Sequence, residues 1–171
     1  MKSQFVAGTL GLALVAGMAG CGSGGWTQWT GSGSNGHWYQ IDATRSDWET
    51  ASARVTGQGH YLVTITSAAE EQFIISSFLS GDNALKVFWI GANDKAVSGA
   101  FQWVTGEPFS YTDWKDLEPS GDGPYLCINW NAVRGDPAGQ WNDAPNVGTT
   151  GYDNGANDGP YAAIVESNTE P

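Results

Sequence analysis

Glu118-Pro119-Ser120 and, further along the chain, Trp141-Asn142-Asp143 are the two stretches that decide how this sequence is interpreted. The first carries a carboxylate and a hydroxyl, and the second an amide carbonyl and a carboxylate. Calcium is bound by about six to eight oxygens of these kinds. The proline fixes φ between two ligand residues, and a cis bond before it would direct both neighbours to one point. We interpret the stretches as two halves of one Ca²⁺ site.

The sequence around these stretches predicts two helices and several short strands. The capping boxes Ser46-Asp47-Trp48-Glu49 and Ser67-Ala68-Ala69-Glu70 predict helix starts, and the second helix carries an apolar stripe of Phe73, Ile74 and Phe78. Alternating or apolar runs predict strands at 37–41, 61–65, 87–91, 100–104, 125–130, 140–141 and 161–166. Residues 111–125 and 142–159 lack periodicity, which predicts long loops beside both ligand motifs.

Taken together, these residues resemble the C-type lectin-like domain. The resemblance covers about Trp38 to Glu166 and is carried by Trp48, Leu62, Glu70-Glu71, Trp89-Ile90-Gly91, Asp94, Phe101, Trp103, Trp114, Glu118-Pro119-Ser120 and Trp141-Asn142-Asp143. It implies an α+β fold with two helices flanking small antiparallel sheets and a long ligand-binding loop region. It also implies a calcium ion that bridges the protein to two adjacent sugar hydroxyls.

The resemblance assigns calcium ligands by position. Glu118, Asn142 and Asp143 match family ligands, and the same three residues would contact a glycan, with Tyr152 as a further contact. Mannose-type members have Glu-Pro-Asn and galactose-type members have Gln-Pro-Asp, whereas this chain has Ser120 in the third position. The following stretch is shortened and offers Asp122 as its only carboxylate. We therefore expect a weakened site formed by Glu118, Ser120, Asp122, Asn142 and Asp143.

Two functions remain open on this sequence. The first is calcium-assisted glycan binding; the second is a calcium-independent module of the same fold that binds a protein partner. In the second case Trp141 anchors the loop, Asn142 and Asp143 form a turn, and Glu118 is a solvated charge. Neither His37 nor His60 lies near a nucleophile motif, and no phosphate-binding loop is present, so the sequence predicts no enzyme.

The N-terminus predicts export and lipid anchoring. Residues 1–20 have the charge and apolar pattern of a signal peptide, and Met18-Ala19-Gly20-Cys21 resembles the lipobox of bacterial lipoproteins. Cys21 would carry the lipid, residues 21–36 would form a flexible Gly/Ser-rich tether, and residues 37–171 would form the domain. Trp26 and Trp29 interrupt the tether and would dock either on the domain or on the membrane surface. The expected location is outside the cytoplasmic membrane, anchored by lipid to the cell envelope, and on the outer membrane if the cell is Gram-negative.

Charge and cysteine content restrict the partners further. The net charge is −11, which disfavours binding to nucleic acid. Assigning Cys21 to lipid leaves Cys127 as the only cysteine of the domain, so an internal disulfide is excluded. We expect Cys127 to be a buried small apolar residue.

Overall fold

The alternating apolar runs build one mixed sheet. The computed structural model describes residues 25–130, 132–151 and 158–171. The strands are Thr27–Gln28 (β1), Trp38–Ser46 (β2), Tyr61–Leu62 (β3), Phe88–Asn93 (β4), Gln102–Trp103 (β5), Tyr125–Ile128 (β6), Trp141–Ala144 (β7) and Tyr161–Ser167 (β8). Their order is β1-β2-β8-β4-β6-β7, with β3 paired to β8 and β5 to β4. Because β4 and β8 pair in parallel, the predicted small antiparallel sheets are joined into a single sheet.

Both faces of this sheet are buried, since successive side chains of a strand point to opposite faces. Phe88 and Ile90 of β4 pack on one side with α2, whereas Trp89 packs on the other side with α1. The same alternation separates Leu126 from Cys127 in β6. Cys127 is fully buried, as predicted, and burial raises the pKa of its thiol.

The two predicted helices are present, with one change at a start. Helix α1 spans Trp48–Gly57 and α2 spans Ala68–Phe78. Ser67 caps α2 and accepts from the Glu70 amide, as predicted, at 3.2 Å. The cap of α1 is Asp47 rather than Ser46, because the Asp47 carboxylate reaches the Thr50 amide at 2.9 Å.

The described part of the predicted tether is folded onto the domain. Strand β1 pairs with β2, and the flanking Trp26 and Trp29 are 6% and 7% exposed. Trp29 stacks on Phe73 of α2 at a centroid distance of 5.7 Å. Two indoles supply the buried area that a Gly/Ser-rich segment otherwise lacks, so the folded region begins before His37.

The α+β prediction is confirmed, with two helices and a sheet in the described residues. Within these residues, neither helix is long and apolar enough to cross a membrane.

Candidate ligand-binding site

Trp141 joins the long loop to the sheet. Its side chain is fully buried, and its indole Nε1 donates to Glu71 at 2.7 Å. Its backbone amide donates to the Asp113 carbonyl, and its carbonyl accepts from the Lys115 amide, both at 2.9 Å. The loop that leads to Glu118 is therefore bonded to β7, directly before Asn142 and Asp143.

Asp143 lies at the centre of the site and is held by backbone amides. It is 1% exposed. Its Oδ1 accepts from the Ser120 amide at 2.8 Å, and its Oδ2 accepts from the Gly121 amide at 2.8 Å and the Gly123 amide at 3.4 Å. We call these three N–H groups the amide cradle. Both carboxylate oxygens thus face donors from one short loop.

Glu118 adjoins this cradle. The Glu118-Pro119 bond is cis. The Oε2 atom of Glu118 accepts from the Ser120 amide at 2.7 Å, so that amide is shared between Glu118 and Asp143. Burial, together with the nearby negative charge of Asp143, raises the pKa of Glu118. Two carboxylates have therefore been brought close enough to repel each other.

Asp122 is more exposed than either of these carboxylates. Partial burial and the charge of Asp143 raise its pKa. Asp122 therefore lies within the electrostatic influence of Asp143, as its assignment as a replacement ligand requires. The raised pKa values of Glu118 and Asp122 have the sign that burial produces first and nearby negative charge adds to.

Asn142 contributes an unsatisfied oxygen. Its side chain is 1% exposed, and Nδ2 donates to the Asp143 carbonyl at 2.5 Å. Its Oδ1 is buried and has no hydrogen-bond partner among the described residues. Rotating the amide by 180° would place Oδ1 beside the Asp143 carbonyl oxygen, giving two adjacent oxygens. A buried acceptor without a partner costs about 1–3 kcal/mol.

The oxygen donors of these side chains are of the types that calcium binds, but their present arrangement does not form a calcium site. The oxygens of Glu118, Asp143 and Asn142 are hard donors, and the unpartnered Oδ1 is an acceptor that a cation would satisfy. In the described part of the chain, however, no group of three His, Cys, Asp or Glu side chains is arranged to hold a metal. The amide cradle is the physical reason, because it orients the Asp143 oxygens toward N–H donors.

Glu71 is a buried acid beneath the site whose role was not predicted from the sequence. Glu71 is 2% exposed and accepts from Trp141 Nε1 and from the Tyr111 hydroxyl. Burial raises the pKa of Glu71 to about 7, with a contribution from Asp113 that the two donors oppose. The available signal was its spacing, since Glu71 lies on the same helical stripe as Ile74 and Phe78.

A second buried acidic network joins the start of β2 to α2 and β8. Tyr39 donates to Glu70 at 2.7 Å and to Glu166 at 3.3 Å, and His37 Nδ1 lies 2.6 Å from Glu166. The hydrogen bond to Glu166 raises the pKa of His37. Thr64 donates to Glu166 through both its amide and its hydroxyl. His37 is thus engaged in this network, away from the Glu118 loop.

Two tryptophans close to the ligand motifs in sequence are packed into the domain. Trp130 is 5% exposed, and Trp114 packs on Phe101 at a centroid distance of 5.1 Å. Tyr152, the predicted glycan contact, and Cys21, the predicted lipid attachment, lie outside the described residues.

A cavity of about 430 Å³ borders the outer side of the cradle loop, and it is lined by Asp94, Lys95, Ser98, Gly121, Gly123 and Pro124. Its walls are tied together where the Asp94 amide donates to the Pro124 carbonyl at 3.1 Å. Lys95 pairs with Glu49 at its edge. The loop that covers Asp143 is therefore open to solvent on its other side.

Comparison with known sequences identifies the family. The Lectin C-type domain family matches residues 44–147. The human C-type mannose receptor 2 is 32% identical over 113 residues, which cover 64% of this chain and 7% of the receptor. The mouse C-type lectin domain family 4 member F is 29% identical over 119 residues, covering 64% of this chain and 19% of that protein. The chain thus matches only a small part of the length of these relatives.

Solved structures agree with this fold. An SPL-1–GlcNAc complex superimposes with a TM-score of 0.65 at 25% identity, covering 88% of this chain and 98% of that one. A calcium-independent type II antifreeze protein gives a TM-score of 0.62 at 23% identity, covering 84% and 92%. The fold therefore serves more than one purpose among its neighbours. The chain belongs to the Lectin C-type domain family, whose members are non-enzymatic binding modules.

Proposed function

We propose that this protein binds a carbohydrate at the surface formed by Glu118, Asn142 and Asp143, and that calcium assists this binding. The observation that carries the proposal is the meeting of two carboxylates, Glu118 and Asp143, at the Ser120 amide, together with the buried, unpartnered Oδ1 of Asn142, the neighbour of Asp143 in β7. An acceptor in such a position is costly unless a ligand satisfies it. Similarity to a mannose receptor and to a lectin–GlcNAc complex supports a glycan as the ligand.

Calcium would supply a hard cation that binds sugar hydroxyl oxygens. Glu118, Asn142 and Asp143 would hold it, with Ser120 and Asp122 as additional ligands. The protein's own part is positioning: β7 holds Asn142 and Asp143, and the loop bonded to Trp141 presents Glu118. Because serine offers a shorter, neutral ligand, we expect a Kd of about 10⁻⁴–10⁻³ M, as in other extracellular modules.

The test combines a calcium titration with a glycan array. A ligand that binds only the folded state stabilises it by about 2.7 kcal/mol at a hundredfold excess over Kd. We expect the melting temperature to rise at millimolar calcium and glycan binding to fall in a chelator. The absence of both effects, with binding to no glycan, would contradict the proposal.

One observation favours a second function, a calcium-independent protein-binding or adhesion module. The Asp143 carboxylate already has three amide donors, so the site is satisfied at this position without a cation. Binding of a protein partner that persists in chelator, with no glycan signal, would select this alternative.

We also propose that Cys21 is lipidated and that the protein is anchored outside the cytoplasmic membrane, on the outer membrane if the cell is Gram-negative. The lipobox-like Met18-Ala19-Gly20-Cys21 supports this anchor, and the acidic charge is consistent with an exported domain. Mass spectrometry of the N-terminal peptide tests it, with Cys21→Ser as the variant. A peptide cleaved elsewhere and free of lipid would contradict the anchor.

A further inference from the structure

The amide cradle on Asp143 has a built geometry. Its three donors come from the four consecutive residues 120–123, and the carboxylate that accepts them is 1% exposed. Successive N–H groups that converge on one anion form a nest, a concavity with fixed partial positive charge. This nest is occupied by the chain's own carboxylate.

The sequence makes this approach possible with a glycine. A Cβ at position 123 would lie 1.9 Å from the Ala144 carbonyl carbon and 2.1 Å from the Pro145 nitrogen. Only glycine therefore lets the loop lie against the end of β7. Gly121 adopts φ +81°, a left-handed conformation that favours glycine.

A cation and the cradle compete for the same oxygens. A carboxylate offers about four lone-pair sites, and three here accept N–H groups. Calcium requires oxygens at about 2.3–2.6 Å, on a side that the positive ends of the N–H dipoles now occupy. One lone-pair site is left, so a calcium ion that is to bind both Asp143 oxygens requires these amides to move away.

The shared Ser120 amide couples the two carboxylates. The same N–H bonds Glu118 at 2.7 Å and Asp143 at 2.8 Å. Reorientation of this one amide would therefore release both acids for a cation.

We propose that the amides of Ser120, Gly121 and Gly123 take the place of a cation on Asp143, and that calcium and this closed loop exclude each other. The inference rests on the proposed function, because it describes how that same site is regulated. Without metal, the loop is closed, with its amides bonded to Asp143, and the site is ordered. When calcium binds Asp143, these bonds break and the loop opens.

Amide exchange measured by NMR on the purified, ¹⁵N-labelled protein tests this directly. Without calcium, the Gly121 and Gly123 amides should exchange slowly. At about 10 mM calcium, well above the expected Kd, their exchange should be at least about tenfold faster. Calorimetry on the same samples reports calcium binding independently.

The possible outcomes separate the inference from the proposed function. Amides that exchange at unprotected rates without calcium would overturn the cradle. Amides that stay protected while calorimetry shows calcium bound would overturn the exclusion and leave the function standing. Protected amides with no calcium binding would support the cradle in place of a cation, but would overturn the exchange with calcium and reject the calcium part of the proposed function.

Gly123→Ala provides a second test, because its Cβ forces the loop away from β7. We expect this variant to lose protection at Gly121 and to bind calcium several-fold more tightly. Gly57→Ala is the matched control, since its Cβ meets nothing within 4 Å. A folded Gly123→Ala protein with protected Gly121 or with weaker calcium binding would overturn the inference. If the variant does not fold, the exchange rates of the unmodified protein decide the matter.

Discussion

The two halves of the site are held in place by different interactions. The strand half, Trp141 to Asp143, belongs to β7, where Asn142 and Asp143 pair with Cys127 and Leu126 of β6. The loop half, residues 117–123, has no strand partner and is attached through the cradle and through the Lys115 amide that bonds Trp141. Leu117 at its start is 96% exposed.

This difference indicates which half can change with a ligand. The strand half is stabilised by core packing, which does not depend on an ion. The loop half depends on a few hydrogen bonds, each worth about 0.5–1.5 kcal/mol net. The protein therefore keeps one set of ligands fixed and the other adjustable.

The largest expected effect comes from breaking the strand half. Trp141 is fully buried and contacts the rings of Trp103, Phe109, Tyr111 and Trp114. We expect Trp141→Ala to lower the free energy of unfolding by about 3–5 kcal/mol, measured by denaturant titration. Leu117→Ala in the loop half is the control and should change it by less than about 0.5 kcal/mol. Equal effects of the two variants would remove the contrast between the halves.

The next effect concerns pH and the acid beneath the strand half. Glu71 has a pKa of about 7 when folded, above the ordinary value of 4.5, so the folded state binds its proton more tightly. The stability from this proton is complete below pH 4.5 and is lost as the pH rises through about 7. Relative to Glu71→Gln, the protein should lose about 2–3 kcal/mol across this window.

Denaturant titrations at several pH values measure this difference. Glu170→Gln, a substitution at the exposed C-terminus, is the control and should leave the pH dependence unchanged. A Glu71→Gln protein with the same pH dependence as the unmodified protein would show that Glu71 is not the titrating group.

A smaller effect is expected from weakening the hydrogen bonds that attach the loop half to Asp143. Asp143→Asn keeps one acceptor oxygen but turns an NH₂ group toward N–H donors of the cradle. We expect a loss of about 1–3 kcal/mol in chelator, from unsatisfied donors. Asp82→Asn, at an exposed position away from the site, is the control. A stability unchanged by Asp143→Asn would mean that the cradle contributes nothing to the metal-free fold.

Much of the fold could be predicted from residue patterns, because alternation and capping act locally. The apolar run at 125–130 became β6, and Ser67 caps α2 as expected. For Trp26 and Trp29 the sequence left docking on the domain and docking on the membrane surface open, because Gly/Ser-rich surroundings favour a flexible chain and the partner Phe73 is distant in sequence.

The site shows a similar division. Glu118 and Asp143 were assigned to one site from side-chain chemistry, and they are brought together around one amide. The cradle was not predictable, because the direction of a backbone N–H is not encoded by the residue types that carry it. The shortened stretch with Gly121 and Gly123 was the only sequence signal, and it was interpreted as the loss of a ligand.

The smallest effect concerns the loop half's own side chain. Ser120→Asn leaves the backbone amide in place and adds an amide carbonyl that reaches further toward a cation. In chelator we expect the stability to change by less than about 0.5 kcal/mol. With calcium we expect a larger rise in melting temperature than in the unmodified protein, because a stronger ligand has been added. Ser110→Asn, also exposed and in a loop, is the matched control and should not alter the calcium effect. An equal calcium response in all three proteins would show that the side chain at position 120 does not contact the ion. The backbone amide of Ser120 would then be the only contribution of this residue to the site.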